Sequence, residues 1–115
     1  LQLIPENTTI MNGISTYCVH GHTCGQQLVK LEDGDEAMIY CSDLIPLKSH
    51  LQIPWIMGYD LNALLTLEEK TQFLAQADDE NWWLVFDHDP ATSAVKIKQG
   101  EKYYDVVEEV LRKFD

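Results

Sequence analysis

The feature that most constrains the fold is a hairpin signal in the first half of the chain. Two strand-like runs, residues 27–31 and 36–41, flank the dipeptide Asp33-Gly34. This dipeptide favours a tight antiparallel turn because both residues tolerate positive φ angles. The second run contains Ala-Met-Ile-Tyr-Cys and is almost entirely apolar, as expected of a strand that is covered on both faces. The pattern predicts a buried sheet strand, and not an isolated hairpin.

Other short runs extend this sheet in both directions. Turn signals at Pro5 and Asn12-Gly13 separate the upstream runs, and Gln99-Gly100 predicts a second hairpin downstream. Residues 106–114 are interpreted as ending in a helical turn. The predicted strands are residues 1–4, 8–11, 14–19, 82–86, 93–98 and 102–107.

One helix interrupts the strands. The segment from Thr66 to Glu69 has the pattern of a capping box, with Thr66 as N-cap and Glu69 at the third helical position. The helix is predicted to run to about Asp79, with Leu67, Phe73, Leu74 and Ala77 on one face. The order of strands, helix and strands predicts an α+β fold, with one mostly antiparallel sheet and a helix packed on one face. A chain of 115 residues fits a single domain, residues 1–115.

Composition excludes several classes of function. The formal net charge of −11 argues against nucleic acid and anionic membranes as partners. No run reaches the roughly 18 apolar residues of a membrane helix, and no signal peptide opens the chain. The chain begins with Leu1 and not Met, which leaves open a natural N-terminus, and a targeting segment, further upstream.

Cysteine usage favours a reducing compartment. There are three cysteines, an odd number, without a Cys-x-x-Cys pair, which argues against a disulfide framework and favours a cytoplasmic location. Cys18 and Cys41 lie in apolar, strand-like runs and are predicted to be small core residues. Trp82 and Trp83 are likewise expected in the core.

Three short motifs each supply one plausible metal ligand. They are His20-Gly-His-Thr-Cys-Gly-Gln26, Ser42-Asp-Leu-Ile-Pro46 and Asp87-His-Asp-Pro90, and the ligands are His22, Asp43 and His88. Each ligand follows a strand-like run, which would fix the direction of its side chain. Imidazole and carboxylate suit a hydrolytic metal that keeps a position open for water.

These motifs resemble the C-terminal half of a metallo-β-lactamase-fold hydrolase, over residues 3–110. The loop His22-Thr23-Cys24-Gly25 resembles the family's Gly-His-Thr-x-Gly loop, whose His binds a metal. Ser42-Asp43 resembles the Gly-Asp that bridges two metals, and His88 resembles the last metal-binding His. Residues 43–65 are most similar to lactonase-like members. A complete fold of this family is an αββα sandwich about twice this length, so the resemblance implies half a sandwich without its N-terminal half.

The sequence also departs from the family pattern. The signature His-x-His-x-Asp-His, which supplies most of one site, is absent. Gln26 stands where many relatives have a second His, and Ser42 replaces the usual Gly. Pro46 occupies the place where some lactonases carry a Tyr that contacts substrate.

The resemblance implies a fragment of a metal-dependent hydrolase. The intact protein would hold two metal ions, zinc being the expected metal, and a metal-bound hydroxide would attack an ester, lactone or related bond of a small-molecule substrate. The isolated chain, with half of the ligands, would have little activity and would bind metal weakly or not at all. His50, Trp55 and Tyr59, in the apolar segment after Asp43, are candidates for a substrate pocket, although a solvent-facing His50 is the commoner case.

Two alternatives remain open at this stage. Cys24 could join His20 and His22 in a thiolate zinc site, which would need a fourth ligand. The chain could also be a non-catalytic domain that self-associates, for example as a dimer, or binds a protein partner through the open face of its sheet. An uncovered apolar sheet face favours association in either case.

Overall fold

The computed structural model describes residues 1–113 and contains one seven-stranded sheet with one α-helix. The helix, α1, spans Ala63–Asp79. Short 3-10 turns at Ser42–Leu44 and Lys48–Leu51 interrupt the long connection that precedes it. The strands are β1 (Thr9–Met11), β2 (Ile14–Val19), β3 (Gln26–Asp33), β4 (Glu36–Tyr40), β5 (Trp83–Val85), β6 (Thr92–Gln99) and β7 (Tyr104–Leu111).

The strands lie in the sheet in the order in which they occur in the chain. All neighbours pair antiparallel except β4 and β5, which pair parallel. A parallel pair needs a crossover connection, and α1 lies in that crossover. The predicted α+β fold, with a mostly antiparallel sheet and one packed helix, is confirmed.

The core lies between α1 and one face of the sheet. Phe73, Leu74 and Ala77 of the helix are almost completely buried. They belong to one cluster with apolar residues of every strand from β2 to β6: Val19, Leu28, Ile39, Leu84, Val95 and Ile97. Phe73 also makes edge-to-face contacts with Tyr17 and Trp82. This cluster fixes the helix on the sheet and thereby fixes the loops at both ends of the helix.

The opposite face of the sheet is apolar and exposed at its centre. Val29, Leu31, Met38 and Tyr40 are all exposed, although they belong to the strands that carry the core. Together with Val85 they line a shallow cavity of about 330 Å³. We call these five residues the open face. They alternate with core residues because successive side chains of a strand point to opposite sides.

Several local predictions were wrong. Residues 1–4 form no strand, and residues 106–111 belong to β7 where a helical turn was expected; Phe114 lies outside the described residues. The helix begins four residues earlier than predicted, because Asn62, and not Thr66, is its N-cap and accepts the Leu65 N–H at 3.1 Å. Among residues 1–113, no helix has the length and apolarity that crossing a membrane requires.

Candidate metal centre

Three strands bring His22, Asp43 and His88 to the same edge of the sheet. Each residue follows the end of its strand by the same number of positions: β2 ends at Val19, β4 at Tyr40 and β5 at Val85. The three strands run in one direction, since β4 and β5 are parallel and β3 is antiparallel to both β2 and β4. Loops at the carboxyl ends of such strands are a common place for functional sites.

The two imidazoles face different oxygens of one carboxylate. His22 Nε2 lies 3.4 Å from Asp43 Oδ2, and His88 Nε2 lies 3.2 Å from Asp43 Oδ1. The structure thus brings together all three side chains that the motifs singled out. They do not surround a single point, because each carboxylate oxygen has its own imidazole.

A buried aspartate sets the orientation of the His22 ring. Asp60 Oδ1 lies 2.6 Å from His22 Nδ1, and the Asp60 side chain is only 2% exposed. In the tautomer with Nδ1–H, this nitrogen donates a hydrogen bond to Asp60 Oδ1, and the lone pair of Nε2 is directed at Asp43. A histidine held in this way by a carboxylate is typical of metal ligands, since the partner fixes both the tautomer and the ring orientation.

The donor set fits a divalent cation. Two ligands bound to one zinc ion at about 2.1 Å and a tetrahedral angle lie roughly 3.4 Å apart, which matches the separation between His22 Nε2 and Asp43 Oδ2. A lone pair facing an anionic oxygen at this distance is repulsive unless a proton or a cation lies between them. Imidazole and carboxylate are ligands that suit zinc and similar metals.

The loop that carries His22 is fixed by the start of α1. Both carboxylate oxygens of Glu69 accept the His20 N–H, at 2.7 and 3.0 Å, and Oε1 also accepts the Gly21 N–H at 2.7 Å. A Cβ on Gly21 would lie 2.6 Å from the Thr66 Cα, so only glycine permits this close approach. Thr66 and Glu69, predicted as helix caps, instead hold the His22 loop against the helix.

The His88 loop is tied to the Asp43 loop. The His88 N–H donates to the Pro46 carbonyl at 3.2 Å. Asp89 accepts the backbone N–H groups of Lys48, Ala91 and Thr92 at 2.7–2.9 Å. Burial alone would raise the pKa of Asp89, but these hydrogen bonds outweigh it and lower the pKa. Asp43 and His88 therefore face each other across two loops that are joined by hydrogen bonds.

A buried lysine supports the segment between Asp43 and the helix. Lys70 is 0% exposed, and its Nζ donates to the carbonyls of Gln52 and Trp55 at 2.7 and 2.6 Å. Burial lowers the pKa of Lys70 to about 8, although the charge of Asp60 acts in the opposite direction. Lys70 thus links the helix to the segment that carries the candidate pocket residues.

Lys70 is expected to make stability depend on pH in alkaline solution. Below pH 8 both states carry the proton, and the folded chain bears the full cost of burying the charge. Between pH 8 and 10.5 the folded chain has released the proton while the unfolded chain keeps it, so the free energy of unfolding rises with pH, by about 3 kcal/mol. Urea denaturation at pH 7 and pH 10 should show this rise relative to Lys70→Met.

The comparison with Lys70→Met removes contributions from tyrosines and cysteines, which titrate in both proteins. Exposed Lys102 provides the matched control, and Lys102→Met should behave as the parent chain does. An equal change with pH in the parent and in Lys70→Met would contradict the assigned cause.

A cavity of about 340 Å³ adjoins His88. Of the three predicted pocket residues, His50 and Tyr59 line it, whereas Trp55 does not and is half exposed. Burial, and then the charge of Lys70, lowers the pKa of His50, which favours the neutral imidazole. The remaining walls are mainly apolar: Pro46, Leu47, Ile56, Met57 and Gly58.

Sequence reasoning did not identify the supporting roles of Glu69 and Lys70. Both lie on the predicted helix, where Glu69 was assigned to the capping box and Lys70 was given no role. A lysine within the apolar face is the one signal that pointed to Lys70, because such a residue must find partners for its charge when buried. Glu69 gave no such signal, since the capping-box pattern already accounted for it.

Solved structures of similar fold include metal-dependent hydrolases and lactonases. A probable metal-dependent hydrolase from Staphylococcus aureus aligns over 98% of this chain and 40% of its own, with a TM-score of 0.88 and 23% identity. The dizinc quorum-quenching lactonase AidC aligns over 97% and 39%, with a TM-score of 0.79 and 21% identity. The hydrolase AbOPH of the beta lactamase superfamily aligns over 91% and 36%, with a TM-score of 0.72 and 16% identity.

These similarities establish the fold. The chain has the fold of part of these proteins, as the predicted resemblance to a metallo-β-lactamase fold implied, and it spans about 40% of the length of the first two structures. No protein-family model matches the chain, and no curated protein sequence matches it.

Proposed function

We propose that this chain is part of a metal-dependent hydrolase that acts on ester, lactone or related bonds. The observation that carries the proposal is the meeting of His22, Asp43 and His88 at one sheet edge, with an imidazole nitrogen facing each Asp43 oxygen at 3.2–3.4 Å. The similar solved structures support the same class, since they include a metal-dependent hydrolase and a dizinc lactonase.

The arrangement of Asp43 favours two cations over one. Its two oxygens serve different imidazoles, which suits a carboxylate that bridges a pair of ions roughly 3.5–4 Å apart. His22 would hold one ion and His88 the other, while Asp60 keeps the His22 ring in place. Bound cations, with zinc as the proposed metal, would make water a stronger nucleophile at neutral pH and stabilise the negative charge that develops on the substrate oxygen.

The remainder of the fold would supply the missing ligands and cover the open face. The chain corresponds to about 40% of the similar structures, and its open face exposes Val29, Leu31, Met38 and Tyr40. We propose that an N-terminal half of the same fold packs there. The isolated chain would accordingly have little hydrolase activity. A cytoplasmic location is proposed from the odd number of cysteines.

The cavity beside His88 supports a substrate with an apolar portion. Its walls include Leu47, Ile56 and Met57, while His50 and Tyr59 supply the polar groups. Such a cavity would bind the acyl or alkyl portion of a small ester or lactone and place the reacting carbonyl near the Asp43–His88 pair. His50 and Tyr59 could then orient the substrate by hydrogen bonds.

The coding sequence upstream of Leu1 tests the proposal. We expect a His-x-His-x-Asp-His motif within about the preceding hundred residues, which would supply the ligands that this chain lacks. The longer protein should hydrolyse members of a panel of lactones and esters, and chelation should remove this activity. A longer protein without the motif and without chelator-sensitive hydrolysis would contradict the proposal. Robust zinc-dependent turnover by the 115-residue chain would contradict the expectation that the isolated chain is inactive.

The open face also favours a second candidate, a non-catalytic domain that associates through its sheet. This candidate predicts that the isolated chain is a dimer, and that Leu31→Lys on the open face makes it monomeric. Size-exclusion chromatography with light scattering measures this association, and the activity of the longer protein distinguishes the two candidates. Dissociation by Leu31→Lys together with an inactive longer protein would favour association as the function.

A further inference from the structure

A second group of potential metal ligands lies at the other side of the His22 loop. Within residues 1–113, Glu6, Cys18 and His20 are the side chains that place three donor atoms within 4.8 Å of one another. None of the three belongs to the His22–Asp43–His88 group. We propose that Glu6, Cys18 and His20 form a separate binding site for a zinc-class divalent cation.

The separations between the donor atoms match those around one tetrahedral ion. His20 Nε2 lies 3.3 Å from Glu6 Oε1 and 3.7 Å from Cys18 Sγ. At usual bond lengths, a nitrogen and an oxygen on the same zinc ion lie roughly 3.4 Å apart, and a nitrogen and a sulfur roughly 3.6 Å. The three donors could therefore share an ion with small movements of the side chains, and water would complete the coordination.

The segment that carries Glu6 is held in place by its neighbours. Asn7 adopts a positive φ of 51°, and its side chain accepts the Cys18 N–H at 2.8 Å. The next residue, Thr8, donates its N–H to Thr16 Oγ1 at 3.0 Å and its hydroxyl to the Pro5 carbonyl at 2.6 Å. These bonds fasten the turn to β2, so Glu6 lies beside Cys18 as a result of local structure.

The His20 ring is also oriented, and Cys24 can support the metal-bound form. The Gly25 N–H donates to His20 Nδ1 at 3.0 Å, and Cys24 Sγ lies 3.8 Å from the same nitrogen. Coordination through Nε2 requires that Nδ1 carry the ring proton, and Nδ1–H could then donate a hydrogen bond to the Cys24 sulfur. Gly25 is exposed, so water can replace the hydrogen bond that its N–H would lose. Cys24 thus supports the ring but is not one of the three proposed ligands.

The local charge also favours a cation. Cys18 was expected in the core, yet it is only partly buried and lies near two carboxylates. The carboxylates of Glu6 and Glu69 both lie near enough to act on the Cys18 thiol, so they would attract a cation bound there. A thiol that coordinates a metal loses its proton. Cys41, by contrast, is fully buried in the core and cannot contribute.

Cobalt titration of the purified chain tests the site directly. Cobalt replaces zinc in such sites, and a thiolate ligand produces a charge-transfer absorption in the near ultraviolet. We expect this absorption to saturate at one equivalent of Co²⁺ and to disappear in Cys18→Ser. Cys24→Ser should retain the absorption, because Cys24 supplies no ligand, but it should weaken Co²⁺ binding, because its contact with the His20 ring is lost. Asp43→Asn should also retain it, because the His22–Asp43–His88 group contains no thiolate; this variant separates the second metal site from the proposed hydrolase.

Circular dichroism would show whether Cys18→Ser folds. If it does not fold, a second variant tests the site. Glu6 is exposed, so Glu6→Gln should leave the fold intact and weaken Co²⁺ binding by roughly tenfold or more, since even indirect partners of metal ligands change affinity by about 10–100-fold. The inference is overturned if the parent chain gives no absorption, if a folded Cys18→Ser keeps it, or if Glu6→Gln binds Co²⁺ as tightly as the parent.

Discussion

Replacement of Asp43 by Asn in the longer protein is expected to lower kcat/KM for its best lactone or ester substrate by about a thousandfold or more. The amide oxygen is neutral, and the amide nitrogen carries no lone pair for a metal. Both imidazoles would then lose the anionic oxygen that faces them at 3.2–3.4 Å. Metal ions contribute several kcal/mol of transition-state stabilisation, and about 4 kcal/mol corresponds to a thousandfold change in rate.

The measurements are steady-state kinetics and the metal content after dialysis. Asp35→Asn makes the same chemical change in the exposed turn between β3 and β4, and it should leave both quantities near those of the parent. Loss of metal and activity in Asp43→Asn alone would identify Asp43 as a ligand. Undiminished activity in a folded Asp43→Asn protein would show that Asp43 is not a metal ligand and would contradict the proposed site.

Leu74→Ala is expected to destabilise the chain by about 2–5 kcal/mol, whereas Leu64→Ala should change stability by no more than about 0.5 kcal/mol. Both residues lie on α1, but Leu74 is 0% exposed in the core and Leu64 is 80% exposed. Removal of buried methyl groups loses their transfer free energy and leaves a cavity. The same substitution on the solvent side of the helix removes no packing.

Urea denaturation followed by circular dichroism measures both changes, and the two variants share their chemistry and their helix. Folded proteins have a free energy of unfolding of about 5–15 kcal/mol, so Leu74→Ala would remove a large part of the total. Similar losses for the two variants would mean that α1 contacts the sheet through a different face.

The sequence was most informative where local pattern decides structure. Strand-like runs with turn signals at Asn12-Gly13, Asp33-Gly34 and Gln99-Gly100 predicted hairpins that the structure contains. The same runs predicted that His22, Asp43 and His88 each follow a strand. A strand fixes the direction of the side chains at its end. Their role as metal ligands remains a prediction, although the structure places them together.

The failures occurred where a partner distant in sequence decides the outcome. Cys18 and Cys41 both lie in apolar runs, but only Cys41 is buried, because α1 does not cover the position of Cys18. Trp82 enters the core while its neighbour Trp83 faces the other side and lies 5.0 Å below Lys96 Nζ. Pattern alone cannot say which face of a sheet the helix will cover.

The helix start and the supports of the site were missed for a related reason. A capping box at Thr66 was a sound local interpretation, but Asn62 caps the helix, and Thr66 packs against Gly21. Glu69 binds the backbone of a loop 48–49 residues away in the sequence. Such contacts have no signature in a single sequence, because the two segments meet only after folding.

The positions of the strands in the sheet imply that two parts of the site differ in their resistance to local unfolding. Asp43 and His88 follow β4 and β5, which are interior strands, whereas His22 follows β2, which is separated from the edge only by the three-residue β1. Edge strands open more readily than central ones in native-state fluctuations. Partial opening at the β1 edge would therefore release His22 first and leave the Asp43–His88 pair assembled.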